Sequence, residues 1–206
     1  MYKHIIFDID GTMLDSEHAD LMALQRVLRE LQGVDYEIDK LQAALGIPGE
    51  VALKQFGITD TARGSQLWSV YMKELAHTMH LFDGIRELIA VLKEKGFELG
   101  IITSKNRDEY QHDFTPFGLD DCFDTVVTVE DSLAPKPSAE PMLTYLSKTG
   151  VQPQDVLYIG DTIYDSQCAT NAGVDFGLAE WKCRSAGRMD ATYHFATPAD
   201  VLKCVL

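Results

Sequence analysis

The chain has no apolar run approaching the length of a transmembrane helix, and the one apolar stretch near its start, Ile5-Ile6-Phe7, is broken by Asp8 and Asp10. That argues against a helical membrane span and against a secretory signal, so the chain reads as cytoplasmic. Cations are also scarce. Against 32 Asp and Glu there are 18 Lys and Arg, a formal net charge of −14, whereas a nucleic-acid or anionic-membrane surface calls for a basic patch. Neither partner is expected. The four cysteines, Cys122, Cys168, Cys183 and Cys204, are too widely spaced to form a paired metal motif and read as reduced structural thiols. There is no internal repeat and no low-complexity tract. The length, 206 residues, suffices for one domain with an insertion or two small domains.

What is present begins with two carboxylates one residue apart. In Ile5-Ile6-Phe7-Asp8-Ile9-Asp10-Gly11-Thr12 a predicted strand ends in Asp8, Asp10, a glycine and a hydroxyl. Alternation along a strand sends both carboxylates toward one cavity as the chain leaves the sheet. Their repulsion suits a hard cation such as Mg²⁺, which takes one or two carboxylates and keeps positions for water and a phosphate. By itself the segment also fits an ordinary strand followed by an Asp-Gly turn.

Strand-like and helix-like segments alternate after residue 82, a pattern that predicts a parallel sheet with helices on both faces. Strands are expected at Lys3–Phe7, Phe97–Ile102, Asp124–Thr128, Val156–Ile159 and Phe176–Ala179. Ile85–Lys95 reads as an amphipathic helix ending at Gly96, and the next helix is expected to run from a Ser138 cap to Gly150. The segment from Cys183 onward, with Thr192–Phe195 and an Ala199–Leu206 helix, is expected to complete the core. Residues 16–81 differ: they carry helical patterns and no convincing strand. Asp15 or Ser16 caps a helix with Leu21, Leu24, Leu28 and Leu31 on one face, ended by Gly33. Further helices are expected at Asp39–Leu45, Pro48–Phe56 and Arg63–Met79. Within the last, Trp68, Tyr71 and Leu75 read as core; His77 and, just beyond it, His80 read as solvated residues without further metal ligands.

Three more segments follow predicted strands: Gly100-Ile101-Ile102-Thr103-Ser104-Lys105, Ala134-Pro135-Lys136-Pro137-Ser138, and Val156-Leu157-Tyr158-Ile159-Gly160-Asp161-Thr162-Ile163-Tyr164-Asp165. With the first, in this order and spacing, they resemble the four motifs of the haloacid dehalogenase-like phosphohydrolases, over the chain from Asp8 to Asp165 and on into Ala172-Gly173-Val174. Four motifs in order are a specific signal where one is not.

The resemblance implies an α/β fold: a doubly wound, Rossmann-like parallel sheet core, residues 1–15 and 82–206, with an inserted α-helical cap at 16–81. It implies a Mg²⁺-dependent phosphatase acting on a small phosphorylated metabolite through an aspartyl-phosphate. Asp8 would be the nucleophile, a choice the residues alone do not make over Asp10, and Asp10 the general acid and base. Mg²⁺ would be held by an Asp8 oxygen, the Asp10 backbone carbonyl and Asp161, with Asp165 a further ligand or an orienting residue behind the ligands. Thr103 through its hydroxyl, Ser104 through its backbone N–H, and Lys136 would hold the phosphate oxygens. Lys105 is open between steering an anionic substrate and sitting in solvent. Asp10 favours phosphate chemistry, because displacing carbon-bound halide needs no proton for a leaving oxygen. Leu45-Gly46-Ile47-Pro48 and Val51-Ala52-Leu53 resemble cap sequence of phosphoglycolate phosphatases and related pyrophosphatases. The alternatives are a β-phosphoglucomutase-like phosphomutase, a pyrophosphatase, and a noncatalytic phosphate-binding protein.

Overall fold

The computed structural model describes residues 2–182 and 189–206; Cys183 lies outside them. Six strands form one sheet in the order β5-β4-β1-β6-β7-β8. They are β1 His4–Phe7, β4 Glu98–Ile102, β5 Thr125–Val127, β6 Val156–Gly160, β7 Asp175–Ala179 and β8 Tyr193–Phe195. Every neighbouring pair is parallel. The chain steps outward from β1 through β4 to β5, then returns to β6 on the other side of β1. That reversal makes the C-terminal edge of β1 and β6 a switch point, where open α/β sheets form their ligand crevice.

Both faces of the sheet are covered. Ile5 and Phe7 pack with Leu88 and Ile89 of α5 (Ile85–Glu94) and Val201 of α9 (Pro198–Val205), whereas Ile6 between them joins Met142 of α7 (Glu140–Thr149) and Ala169 of α8 (Ile163–Asn171) on the opposite face. A continuous apolar run, not an alternating one, is what a strand buried on both faces requires. The doubly wound α/β expectation therefore holds, with strand boundaries within a residue or two.

Between β1 and α5 the chain builds a helical block: α1 Glu17–Gln32, α2 Ile38–Leu41, α3 Gly49–Gln55 and α4 Thr61–Leu75. Leu21, Leu24, Val27 and Leu28 of α1 meet Leu41, Ala52 and Leu53 in a small core of their own. Ala19, Ala23, Met72 and Leu75 turn the other way and join the main core, so the block is packed onto the sheet layer. It is entered and left through two short strands, β2 (Leu14–Asp15) and β3 (His80–Leu81), paired antiparallel with Asp15 opposite His80.

Several local expectations change. Gly33 does end α1, in the left-handed conformation, but Ser16 at its N-cap makes no side-chain capping bond; its hydroxyl donates to Asp10 instead. The helix expected at Asp39–Leu45 breaks at Leu41 into a 3₁₀ turn, Gln42–Ala44. The one expected at Arg63–Met79 starts earlier, because Asp60 accepts from the Arg63 N–H as its cap, and after Leu75 it tightens into a 3₁₀ turn over Ala76–Thr78. His77 and His80 therefore share no helix face, and both are exposed. Ser138 lies one residue before the α7 cap position, its Oγ accepting from the Glu140 N–H at 3.2 Å. Among the described residues, Cys122, Cys168 and Cys204 are free thiols, and no helix is long and apolar enough to cross a membrane.

Candidate active site

The carboxylate pair leaves the sheet through a tight turn. Asp8 still follows the strand, its N–H donating to the Ile159 carbonyl at 2.9 Å, after which the Ile9 carbonyl receives the N–H groups of Thr12, Met13 and Leu14. Gly11 makes that turn possible: its φ is +77°, and a Cβ there would lie 2.1 Å from Asp161 Oδ2. Glycine at position 11 thus lets the β1 loop close against the β6 loop. Asp8, Asp10, Asp161 and Ser104 all line one cavity of about 390 Å³ between the sheet edge and the helical block.

Behind the cavity wall lies a buried ionic cluster. Lys136, reaching in from a loop far beyond β5, places Nζ 3.0 Å from Asp8 Oδ1 and 2.6 Å from Asp165 Oδ1. Its peptide bond to Pro137 is cis. Asp165 is wholly buried and satisfied on both oxygens: Oδ1 by Lys136 and the Tyr158 hydroxyl (2.7 Å), Oδ2 by the Thr162 N–H (3.0 Å) and hydroxyl (2.5 Å). With the Asp165 N–H returning a bond to Thr162 Oγ1 at 3.3 Å, the Thr162 N–H bond completes the capping box of α8, so one carboxylate starts a helix and orients the lysine together. Gly160 keeps this packing open, since a Cβ on it would fall 2.6 Å from Asp165 Cβ.

Charge in the cluster is unevenly balanced. Burial pushes the Asp8 carboxyl above its usual range, against Lys136, which pulls it down, and Asp165 and Asp10 add to the rise. Asp161 is pushed well up by burial and by Asp165 and Asp8. Asp165 is held low because Lys136, Thr162 and Tyr158 outweigh its burial. Oxygens of Asp8, Asp161 and Asp165 lie within 4.8 Å of one another. Two carboxylates raised by burial and mutual repulsion, close together and all-oxygen, fit a hard divalent cation.

Thr103 is buried just past the end of β4, its N–H bonded to Val127 and its Oγ1 accepting from the Lys105 N–H at 3.2 Å. In that bond the hydroxyl keeps its own proton to donate. Ser104 turns its hydroxyl to the Gly46 carbonyl of the helical block, 3.1 Å away, so its side chain serves the contact between the two layers. Lys105 does not sit in solvent: it lines the cavity at 7 % exposure and bridges Asp113 (2.8 Å) and Asp10 (3.2 Å). Trp68 does line the cavity as well as packing in the cores.

Other residues of the site carry no signal of their own in the sequence. Tyr158 reads as an apolar strand residue, and Thr12, whose hydroxyl donates to Asp161 Oδ1 at 3.3 Å, as part of a turn. Asp20 lines the cavity from α1 and Asp113 from a π-helical turn, Tyr110–Phe114. Proximity to a motif would have pointed to the first two; nothing local points to Asp20 or Asp113.

Residues 5–179 match the profile of the haloacid dehalogenase-like hydrolases. The pyrophosphatase PpaX of Bacillus velezensis is 27% identical over 192 residues, 91% of this chain and 87% of that protein. A provisionally named phosphoglycolate phosphatase from Lactobacillus plantarum has the same fold with a TM-score of 0.90 and 29% identity, covering 98% of this chain and 99% of its own. CbbY from Rhodobacter sphaeroides, solved in complex with phosphate, agrees in fold at a TM-score of 0.85 and 20% identity, over 98% and 96% of the two chains. Motif order, a parallel sheet with its carboxylates at one edge, and a family match over most of the sequence coincide: this chain belongs to the haloacid dehalogenase-like hydrolase family.

Proposed function

We propose that the protein is a Mg²⁺-dependent phosphatase that hydrolyses a small-molecule phosphate monoester through an aspartyl-phosphate on Asp8. The observation that carries this reading is the buried contact of Lys136 with Asp8, 3.0 Å, beside the three-carboxylate cluster of Asp8, Asp161 and Asp165. A cation against the nucleophile and carboxylates suited to a hard metal beside it fit a transferring group that carries negative charge. The names of the relatives, a pyrophosphatase and a phosphoglycolate phosphatase, point to phosphorylated small molecules.

Asp8 attacks phosphorus, with Lys136 holding both its carboxylate and a phosphate oxygen. Thr103 donates its hydroxyl proton, and the Ser104 N–H its own, to the other oxygens. Asp10 protonates the leaving oxygen and later takes the proton of the attacking water. Asp8, the Asp10 backbone carbonyl and Asp161 would hold Mg²⁺, which would supply charge neutralisation at the phosphoryl group. Of the two roles left open for Asp165, its contacts favour orienting Lys136. Residues 16–81 serve as a cap that excludes water and contacts the rest of the substrate.

The test is inorganic phosphate release from a panel of phosphoglycolate, pyrophosphate, sugar phosphates, nucleotides and p-nitrophenyl phosphate, with Mg²⁺ or EDTA. Selective release that EDTA abolishes is expected, as is loss of turnover in a folded Asp8→Asn variant. Substantial turnover by Asp8→Asn rejects the aspartyl-phosphate. Transfer between sugar positions without release replaces the phosphatase with a mutase.

A further inference from the structure

Asp10 is held by more than its backbone. Its Oδ1 accepts the Ser16 hydroxyl at 2.5 Å and faces Lys105 Nζ at 3.2 Å. Lys105 in turn donates to Asp113 Oδ2 at 2.8 Å, and Asp113 Oδ1 lies 2.5 Å from His112 Nδ1. The string ends on α4 of the helical block, where Ser69 Oγ is 3.3 Å from His112 Nε2. Lys105 and Asp113 are 7 % and 2 % exposed, so both charges have been taken out of water, a step that costs several kcal/mol per ion unless each is compensated.

A lysine that steered an incoming anion would hold its ammonium toward the cavity mouth. This one is spent on two carboxylates, and one of them is Asp10. A lysine serving structure alone would be satisfied by Asp113. Lys105 also stands two residues after Thr103, on the loop that would cradle the phosphate, so its stem is fixed relative to the reacting group.

We infer that Lys105 is a positioning residue for Asp10: with Ser16 it pins Oδ1, leaving Oδ2 as the oxygen that carries the transferred proton. The inference rests on the acid–base reading of Asp10 given above. As an Asp8 oxygen bonds to phosphorus, the bond from phosphorus to the leaving group breaks. Its electron pair goes to the leaving oxygen, and the proton on Asp10 Oδ2 neutralises it. When water then attacks the aspartyl-phosphate, the same Oδ2 takes a proton from that water, Asp8 departs as a carboxylate and inorganic phosphate is released. Lys105 keeps its proton throughout and acts only through Asp10.

The readout is the dependence of kcat on leaving-group basicity, measured with Mg²⁺ over a series from p-nitrophenyl phosphate through phenyl to alkyl phosphates. Wild type is compared with Asp10→Asn, Lys105→Met and the double variant Lys105→Met/Asp113→Asn, which removes both members of the buried pair in case the single change does not fold; circular dichroism melts establish which variants are folded. Good leaving groups need little protonation and poor ones a great deal, so loss of a general acid steepens the dependence. Asp10→Asn is expected to steepen it. The folded Lys105 variants are expected to do the same, losing about tenfold more on alkyl phosphates than on p-nitrophenyl phosphate with KM little changed. If Asp10→Asn steepens the dependence while the Lys105 variants lower every substrate by one common factor, Lys105 does not act through Asp10 and the inference is overturned. If Asp10→Asn leaves the dependence unchanged, the acid–base reading of Asp10 is what fails, and the inference falls with it.

Discussion

Lys136 Nζ sits 3.0 Å from Asp8 Oδ1, and the two side chains, from opposite halves of the sequence, are both almost wholly buried. One ammonium thereby balances Asp8 and Asp165 together. Replacing it with alanine removes an electrostatic donor and leaves two buried carboxylates uncompensated. Lys136→Ala is expected to lower kcat/KM by about 10²–10³-fold or more, and to destabilise the fold by about 3–5 kcal/mol. Phosphate-release kinetics and urea unfolding measure the two losses; unchanged catalytic efficiency would remove Lys136 from the site.

Tyr158 separates those two effects. Its hydroxyl accepts from Lys136 at 3.2 Å and donates to Asp165 Oδ1 at 2.7 Å, so it reaches Asp8 through Lys136. Tyr158→Phe is expected to cost about 1–3 kcal/mol of stability, the range for a buried polar partner left unmade. Its loss of kcat should be far smaller than that of Lys136→Ala. Equal losses in kcat would mean that Tyr158 itself meets the substrate.

Asp20 should make stability depend on pH. Its carboxyl is pushed up to about 8, first by burial, with Lys105 opposing and Asp10 and Asp113 adding to the rise. A folded-state value above the unfolded one means that the native protein binds the proton more tightly. The stability this confers is full below about pH 4, where the unfolded chain is protonated too, and is lost as pH rises through about 8. Asp20→Asn mimics the protonated form, so in urea titrations it should match wild type near pH 4. Near pH 9 it should be the more stable, on the order of 1–2 kcal/mol, because solvent reaches part of the group and screens its charge. A gain that is the same at both pH values would contradict the raised carboxyl.

Gly11→Ala tests the closeness of the β1 and β6 loops. Alanine at φ +77° costs about 1–2 kcal/mol from the backbone alone, and its Cβ would run into the Asp161 carboxylate. A melting temperature lower by about 2–8 °C is expected for a chain of this size, with a larger fall in activity because Asp161 must move. An unchanged melting temperature would show that the turn can relax.

The sheet was legible because β1, β4 and β6 are compact apolar runs with polar residues at their C-terminal ends, the form a strand buried on both faces must take. Asp8, Asp10 and Asp161 stand at those ends. Lys136 could be singled out only through motif order, since a lysine between two prolines has no local reason to be buried. The helices of the block were seen as regions but not as units: nothing in apolar spacing distinguishes Gln42–Ala44 as 3₁₀ from a continuation of α2. Lys105 and Asp113 escaped for a related reason. The chain between them passes from a short α-helical turn, Arg107–Glu109, into a π-helical one, Tyr110–Phe114, so their spacing matches no regular face.

Asp15 and His80 lie opposite each other where the chain leaves and rejoins the sheet layer. To the parallel sheet, everything between them is a single loop whose two feet already stand side by side. Closure entropy grows only slowly with loop length, so exchanging or resizing that segment would cost the sheet little, provided its inner face still covers Met13 and Leu14. The segment between those feet can therefore vary in length and in its outer face, whereas its inner residues, Ser16 bonded to Asp10 and Gly46 to Ser104, are held to the sheet edge one by one.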